Sequence, residues 1–280
     1  MKKLLATLAV STTLLSPAMA DDHGQNDLLD ATVWTQTSVE YKANAIGTYK
    51  LASLMLDVAI ADKSWTAVPE EQTGDFSSKP PAVILDLDET VMDNSAYQAW
   101  LIKAGKSYSS KTWAPFVNAE ISGAIPGSLD FIKLAESRGV KIFYVSNRKA
   151  PLEEATRNNL KALGYPIDES EDTVILRGEK EEWKSSKKSP RRAYVADNYR
   201  VIMNFGDNFG DFTDAAKGSM ADREAAMEKF AHMWGTKWFM FANPMYGTWE
   251  SATFDHNWKL PVEERRQKKL DAMTYWEPAE

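Results

Sequence analysis

The chain has 280 residues, of which 44% are hydrophobic and 26% are charged, and its formal net charge is −7. This composition is typical of a globular protein with a sizeable core and argues against disorder. An acidic chain is a poor partner for nucleic acid polymers, so any affinity for phosphate has to come from a local site. The absence of cysteine excludes disulfides, thiolate metal ligands and a lipidated cysteine. His23, His232 and His256 lie far apart, so an oxygen-bound ion such as Mg²⁺ fits better than zinc.

Residues 1–20 have the pattern of a secretory signal peptide. Lys2 and Lys3 precede an apolar run that is too short to span a bilayer, and an Ala-Met-Ala sequence ends at Ala20. We therefore expect cleavage near Ala20 and a periplasmic or secreted mature protein without a stable membrane anchor. The alternative is an N-terminal helix that is buried or anchors the chain in a membrane.

The next segment, residues 21–81, is expected to form an N-terminal helical region and a linker. Apolar and aromatic positions recur at helical spacing over about residues 30–62, which predicts one or two amphipathic helices packed on the main domain. Residues 66–81 are rich in proline, glycine, serine and acidic groups, a composition that predicts a linker into the first strand.

From residue 82 onward, short β-branched runs alternate with stretches of helical composition. The pattern predicts an α/β fold, a Rossmann-like parallel sheet with helices on both faces, and such sheets bind ligands at the carboxyl ends of their strands. Gly139 and Gly164 are suited to end two of the helices. The predicted strands are 83–86, 140–146, 173–176, 201–206 and 238–242, and the predicted helices are 128–138, 151–163 and 186–198.

An aromatic-rich insertion interrupts this alternation after the first strand. Residues 94–122 are expected to form a small, mainly helical cap over the carboxyl ends of the strands, and residues 82–93 and 123–280 are expected to form the core.

Two carboxylates follow the first predicted strand. Side chains alternate along an extended backbone, so Asp86 and Asp88 share a face. Two carboxylates about 4 Å apart repel each other by roughly 4 kcal/mol at an effective dielectric constant of 20, so keeping both ionised requires a nearby cation. A metal-assisted active site would provide one, although two acids that merely end a strand are a common alternative.

Three later segments carry further candidate groups. Ser146 ends the second predicted strand, where its hydroxyl could donate to a phosphoryl oxygen or simply cap a helix. The basic segment 184–192 could present one lysine to the strand ends, although such clusters are usually solvated. Asp207 and Asp211 follow the fourth predicted strand, and four acids at two strand ends are hard to explain without a cation.

In order, these segments resemble the four motifs of the haloacid dehalogenase-like (HAD) hydrolases. The longer strings at residues 86–97 (DLDETVMDNSAY), 206–212 (GDNFGDF) and 243–250 (NPMYGTWE) resemble the class C nonspecific acid phosphatases. These are exported bacterial enzymes, some of them outer-membrane lipoproteins with 5′-nucleotidase activity. The resemblance covers nearly all of the expected mature chain.

The resemblance implies a role for each acid. Asp86 would attack phosphorus and become an aspartyl phosphate, and Asp88 would protonate the leaving oxygen and then activate water. The carboxylates of Asp86 and Asp207 and the backbone carbonyl of Asp88 would hold Mg²⁺, with Asp211 ordering a bound water or the lysine.

It also implies the groups that bind substrate. Ser146 would hydrogen-bond the phosphoryl group and Lys187 would neutralise its charge, with Lys184 and Lys188 as substitutes. Trp113 and Tyr246 would sandwich a nucleoside base.

We therefore expect an exported, Mg²⁺-dependent acid phosphatase that hydrolyses small phosphomonoesters, with nucleoside monophosphates as candidates. Self-association into a homo-oligomer is left open. The intact acid pair argues against a dehalogenase, which would lack Asp88, and a phosphonate hydrolase would need a lysine in the cap. A non-catalytic exported ligand-binding or storage protein on the same fold is the principal alternative.

Overall fold

A computed structural model describes residues 26–278, and the expected signal peptide lies outside the described residues. The strands are β1 (Pro81–Leu85), β2 (Met92–Asp93), β3 (Gly123–Ala124), β4 (Lys141–Lys149), β5 (Val174–Arg177), β6 (Arg200–Gly206) and β7 (Trp238–Met240). The helices are α1 (Leu29–Thr37), α2 (Val39–Ala61), α3 (Ser95–Ala104), α4 (Ser110–Asn118), α5 (Ser128–Ser137), α6 (Glu153–Ala162), α7 (Ser189–Asn198), α8 (Met220–Lys229), α9 (Thr248–Ala252) and α10 (Val262–Asp271).

Five strands form a parallel sheet in the order β5-β4-β1-β6-β7. The predicted α/β fold is therefore confirmed, and each predicted strand is present. β1 lies at the centre, so the residues that follow it are flanked by the ends of β4 and β6. The strand boundaries differ from the prediction by one or two residues, except in β4, which continues three residues past Ser146 to Lys149 after a shift in its pairing with β5.

Both faces of the sheet are buried, as parallel sheets require. Val83 and Leu85 of β1 face the core formed with α2, α5 and α6, whereas Ala82 and Ile84 face the core formed with α7. This alternation explains why β1 is apolar at every position. No helix within residues 26–278 combines the length and apolarity needed to cross a bilayer.

The N-terminal helices confirm the prediction for residues 30–62. Ser38 caps α2, its side chain accepting from the Tyr41 N–H at 3.1 Å, and so separates α1 from α2. Helix α2 packs against α5, β6 and β7. Tyr49, which is 1% exposed, lies 5.8 Å from Phe205 of β6 between ring centroids. The helix therefore covers the sheet beside the strand that leads to Asp207.

The expected cap segment contains α3 and α4 and is bracketed by β2 and β3. These two short strands pair in antiparallel fashion, with Met92 opposite Ala124 and Asp93 opposite Gly123. Inside the segment, Tyr97 lies 5.0 Å from Trp113 and 5.4 Å from Phe116 between ring centroids. The insertion thus has its own aromatic packing, and its two ends meet beside the loop that follows β1.

Candidate active site

The carboxyl ends of β1 and β6 bring Asp86 and Asp207 together. Leu85 is in register with Phe205, and the Asp86 N–H donates to the Phe205 carbonyl at 3.0 Å. Asp86 is 8% exposed and Asp207 is 9% exposed. Their meeting follows directly from the parallel register, as the sequence predicts.

Asp211 completes a cluster of three buried carboxylates. Asp86, Asp207 and Asp211 each offer an oxygen, and these atoms all lie within 4.8 Å of one another. The short 3₁₀ turn at Phe209–Asp211 returns Asp211 to the strand end, where its Oδ2 accepts from the Asn208 N–H at 2.9 Å. A Cβ at position 206 would overlap the Asp211 carboxylate, so glycine is required there.

Burial and mutual repulsion disfavour negative charge in this cluster. Loss of water raises the pKa of Asp86 to about 7, with Asp211 and Asp88 adding to the shift and Lys188 opposing it. The pKa of Asp207 is raised well above its usual value by burial and then by Asp211 and Asp86. The cluster therefore needs protons or a cation, and its all-oxygen donor set suits a hard ion such as Mg²⁺.

The basic segment supplies one lysine to the cluster, and it is Lys188 rather than the predicted Lys187. Lys188 is 3% exposed, forms an ion pair with Asp86, and lies 2.7 Å from Asp211 Oδ1 through its Nζ. Burial lowers its pKa, but Asp211 and Asp86 outweigh that effect and raise it above its usual value. Lys187 points to Asp214 at 3.3 Å with its side chain 56% exposed, and Lys184 pairs with Glu181 on the surface.

Two arginines of the same segment are also buried, contrary to the expectation of a mostly solvated cluster. Arg191 donates to the Ser146 carbonyl and to Asn147 Oδ1 at 2.6 Å. Arg192 pairs with Glu71 and donates to the Asp211 carbonyl at 2.9 Å. Helix α7 is therefore tied to the end of β4 and to the turn after β6, because these buried guanidinium groups donate to backbone carbonyls at both places.

The Asp88 carboxylate is not one of the three clustered carboxylates and contacts a separate set of polar groups. Its Oδ1 lies 2.9 Å from Arg148 Nε, 2.8 Å from Arg148 Nη2 and 2.9 Å from Asn94 Nδ2. The other oxygen, Oδ2, faces the Ser146 hydroxyl at 3.5 Å. Ser146 is fully buried on β4, and its Oγ also accepts from the Arg148 N–H at 3.1 Å. The structure thus brings Ser146 beside Asp88 at the carboxyl edge of the sheet.

Glu89 is a buried acid that the sequence reasoning did not single out. It is 1% exposed and has a positive φ of 58°. One carboxylate oxygen accepts from the Asn94 N–H at 2.9 Å, and the other accepts from the Tyr246 hydroxyl. Burial raises the pKa of Glu89 well above its usual value, and Asp88 adds to the shift. The turn after β1 is thereby tied to the loop after β7.

That loop also supports Asp207. Asn243 donates from Nδ2 to Asp207 Oδ2 at 2.7 Å, and its Oδ1 accepts from the Met245 N–H at 3.0 Å. Tyr246 is therefore placed near the cluster by its own hydroxyl and by Asn243. Trp113 of α4 lies over the Arg148 guanidinium, 5.6 Å from ring centroid to Cζ. Both aromatic residues predicted to bind substrate are half-buried and border the site.

Sequence reasoning missed Arg148, Asn94, Glu89, Asn243 and the buried arginines of α7. Arg148 and Asn94 stand within or next to the quoted motifs, so their polar side chains beside Ser146 and Asp88 were an available signal. For Arg191 and Arg192, no sequence signal separates a buried guanidinium from a solvated one in a basic run.

Comparisons with known proteins agree with this site. The family model for acid phosphatases of HAD superfamily subfamily IIIB matches residues 1–249. The class C acid phosphatase from Bacillus anthracis is 37% identical in sequence, with a TM-score of 0.78 over 89% of this chain and 98% of that one. A second structure of a class C acid phosphatase from Bacillus anthracis, with tungstate bound, gives the same values.

The parallel sheet and the acid cluster at its carboxyl edge, together with these likenesses, define a hydrolase of the HAD superfamily. Its reaction is the hydrolysis of phosphomonoesters. The chain belongs to the acid phosphatases of HAD subfamily IIIB, and its sequence and structure are similar to those of a class C acid phosphatase. The family expected from the sequence is thus confirmed.

Proposed function

We propose that this acid phosphatase is an exported, Mg²⁺-dependent enzyme that hydrolyses phosphomonoesters, nucleoside monophosphates among them, through an aspartyl-phosphate intermediate. The observation that carries the proposal is the position of Asp86 at the end of the central strand, buried between Lys188 and the Asp207–Asp211 pair. Lys188 supplies positive charge beside the Asp86 carboxylate, and the other two acids can hold a metal ion there. Positive charge of this kind is needed for an anionic nucleophile to attack a phosphate dianion.

In the first step, an Asp86 oxygen bonds to phosphorus while the bond from phosphorus to the leaving oxygen breaks. Asp88 gives its proton to that leaving oxygen, which departs as an alcohol. In the second step, Asp88 takes a proton from water as the water oxygen attacks phosphorus. Free Asp86 and inorganic phosphate result, and Asp88 is again protonated.

Ser146 and Lys188 hold the phosphoryl group in this scheme. The Ser146 hydroxyl is directed to the space beside Asp88, and it donates to a phosphoryl oxygen without adding negative charge. Lys188 neutralises the charge that develops on the equatorial oxygens. Pro190 in the first turn of α7 is compatible with the placement of Lys188, since the N–H that proline lacks needs no partner there.

The carboxylates of Asp86 and Asp207, with the backbone carbonyl of Asp88, are proposed to hold Mg²⁺. The bound ion offsets the negative charge that the incoming phosphate meets. Asn243 orients Asp207 through its 2.7 Å hydrogen bond, and Asp211 fixes Lys188. The tungstate in the related structure is a tetrahedral oxyanion like phosphate, which supports an oxyanion-binding site in the family.

Trp113 and Tyr246 are proposed to bind the leaving group. A nucleoside base has two faces, and an aromatic ring can stack on each. Trp113 is presented by the cap segment and Tyr246 by the loop after β7, so the two approach the site from different elements. The nucleotide substrates and the periplasmic or secreted location remain proposals that rest on the resemblance and on the signal-like residues 1–20.

The proposed function is tested by assaying the mature protein on 4-nitrophenyl phosphate, glycerol phosphate and nucleoside monophosphates, with Mg²⁺ and with a chelator. We expect hydrolysis with Mg²⁺, loss with the chelator, and a loss of more than about 10³-fold in Asp86→Asn. The matched control is Asp168→Asn. It removes an acid that pairs with Lys141, which also pairs with Glu171, away from the cluster, so activity should stay unchanged.

Activity that survives both the chelator and Asp86→Asn would contradict the mechanism. Absence of activity on every phosphomonoester would favour the alternative of a non-catalytic ligand-binding protein.

A further inference from the structure

Arg148 is buried against the proposed proton donor and has no role in the scheme above. Its side chain is 1% exposed, and both Nε and Nη2 reach Asp88 Oδ1. We infer that Arg148 is a positioning residue that orients the Asp88 carboxyl group for proton transfer to the leaving oxygen. The inference rests on the proposed function, because it deepens the role given there to Asp88.

The two carboxylate oxygens of Asp88 have different hydrogen-bond partners. Oδ1 accepts two hydrogen bonds, from Arg148 Nε and Asn94 Nδ2, each at 2.9 Å, and it lies 2.8 Å from the Arg148 Nη2 atom of the same ion pair. An oxygen so occupied has little capacity left to carry a proton, because its lone pairs are already directed at donors. Oδ2 is left as the oxygen that transfers the proton, and it faces the Ser146 hydroxyl, where the phosphoryl group is proposed to bind.

The guanidinium group is itself held on its remaining sides. Arg148 Nη1 donates to Thr156 Oγ1 at 3.2 Å, and Nη2 lies 3.2 Å from Asn94 Oδ1. The Trp113 ring covers the group at 5.6 Å. A planar fork fixed in this way sets the direction of Asp88, which a single ammonium group on a flexible stem cannot do.

Asn94 links the same arrangement to the ends of the cap segment. Its Oδ1 accepts from the Ser122 hydroxyl at 2.6 Å, which fixes the amide so that Nδ2 points to Asp88. Ser122 is in turn held by Asn159, whose Oδ1 accepts from the Ser122 N–H at 3.0 Å. The orientation of Asp88 is therefore set by groups from both chain segments that connect core and cap.

A positioning role predicts that the damage from losing Arg148 depends on the leaving group. An alkoxide must be protonated as it departs, whereas a strongly acidic phenol departs as the anion without help. Loss of electrostatic support for the phosphoryl group, or a general loss of fold, would instead slow all substrates alike. The leaving group therefore separates proton delivery from a merely structural contribution.

The experiment compares kcat/KM for glycerol phosphate and for 2,4-dinitrophenyl phosphate in the Mg²⁺-loaded wild type, Arg148→Gln, Arg148→Lys and Asp88→Asn. For Arg148→Gln we expect a loss of about 100-fold on glycerol phosphate and of less than about 5-fold on dinitrophenyl phosphate. Asp88→Asn should show the same pattern. Arg148→Lys should fall between wild type and Arg148→Gln on glycerol phosphate, since its charge remains but its fork is lost.

The matched control is Arg157→Gln, because Arg157 pairs with Glu153 and Asp172 on the outside of α6. It should leave both substrates unchanged. Equal losses on both substrates, or no loss on glycerol phosphate, would overturn the inference. If Arg148→Gln does not fold, as judged by circular dichroism, Arg148→Lys decides by the same criterion.

The proposed function and the inference fail in different ways. A wild type without activity on either ester would contradict the function, whereas an active wild type with uniform losses in the Arg148 variants would contradict only the inference.

Discussion

Lys187 and Lys188 are adjacent in the chain but meet different surroundings. Lys188 is buried between Asp86 and Asp211, whereas the Lys187 side chain is largely exposed and lies near Asp214. Helix α7 begins at Ser189, so a shift of one residue in its start would exchange the two lysines. Sequence composition identifies the basic segment, but it cannot fix the helix start to one residue, so it does not distinguish Lys188 from its neighbours.

This difference gives a direct test. Lys188→Met should lower kcat by at least about 100-fold, because a buried cation opposite the phosphoryl charge is removed. Lys187→Met removes the same charge from the surface and should change kcat by less than about 2-fold. Steady-state rates on 4-nitrophenyl phosphate with saturating Mg²⁺ measure both. Equal effects of the two substitutions would contradict the placement of Lys188.

Helix α2 covers the sheet and also supports the turn that follows β1. Its Tyr49 hydroxyl donates to the Thr90 carbonyl at 2.7 Å, within the turn that follows Asp86 and Asp88. Tyr165, beyond α6, donates to the next carbonyl, that of Val91, at 3.1 Å. Two tyrosines from distant parts of the chain thus stabilise the backbone immediately after Asp86 and Asp88.

Removing the first of these bonds should cost measurable stability. Tyr49→Phe leaves the buried Thr90 carbonyl without this donor, and we expect the free energy of unfolding to fall by about 1–2 kcal/mol. Tyr275→Phe is the matched control, because Tyr275 donates to the Leu270 carbonyl at 2.9 Å from an exposed position. Urea denaturation followed by circular dichroism gives both values. A loss in Tyr49→Phe no larger than in the control would show that the buried bond contributes little.

The elements themselves were largely predictable from the sequence. Short β-branched runs identified every strand of the large sheet, and Gly139 and Gly164 do follow α5 and α6, each with positive φ. The extension of β4 to Lys149 was not predictable, because residues 147–149 are polar and the strand continues only through its shifted pairing with β5. At residues 147–149, pairing with β5 determines the extended conformation despite the polar local sequence.

For the whole molecule, the buried acids make stability depend on both pH and metal. The pKa of Asp86 rises from 3.8 to about 7 on folding, and that of Asp207 rises well above 3.8. Between pH 3.8 and about 7, the folded protein without metal therefore binds more protons than the unfolded chain. The contribution of these two acids to stability is therefore fully present below that window and is lost as the pH rises through it.

We therefore expect the chelated protein to melt about 5–10 °C lower at pH 8 than at pH 5. Mg²⁺ competes with those protons for the carboxylates, so the gain in melting temperature on adding Mg²⁺ should be larger at pH 8 than at pH 5. Differential scanning calorimetry with chelator and with excess Mg²⁺ measures the four conditions. A gain that is independent of pH would contradict the raised pKa values.

The ribbon of β2 and β3 has a consequence for how this enzyme family can vary. Because Asp93 lies opposite Gly123, the chain leaves the core and returns to it at neighbouring backbone positions, roughly 5 Å apart in a paired antiparallel ribbon. The residues between Asn94 and Ser122, the pair that holds Asp88, can therefore be lengthened, shortened or exchanged without altering the register of the large sheet. The side chains that this segment presents beside the acid cluster can then change while the ends of β1, β4 and β6 stay as they are.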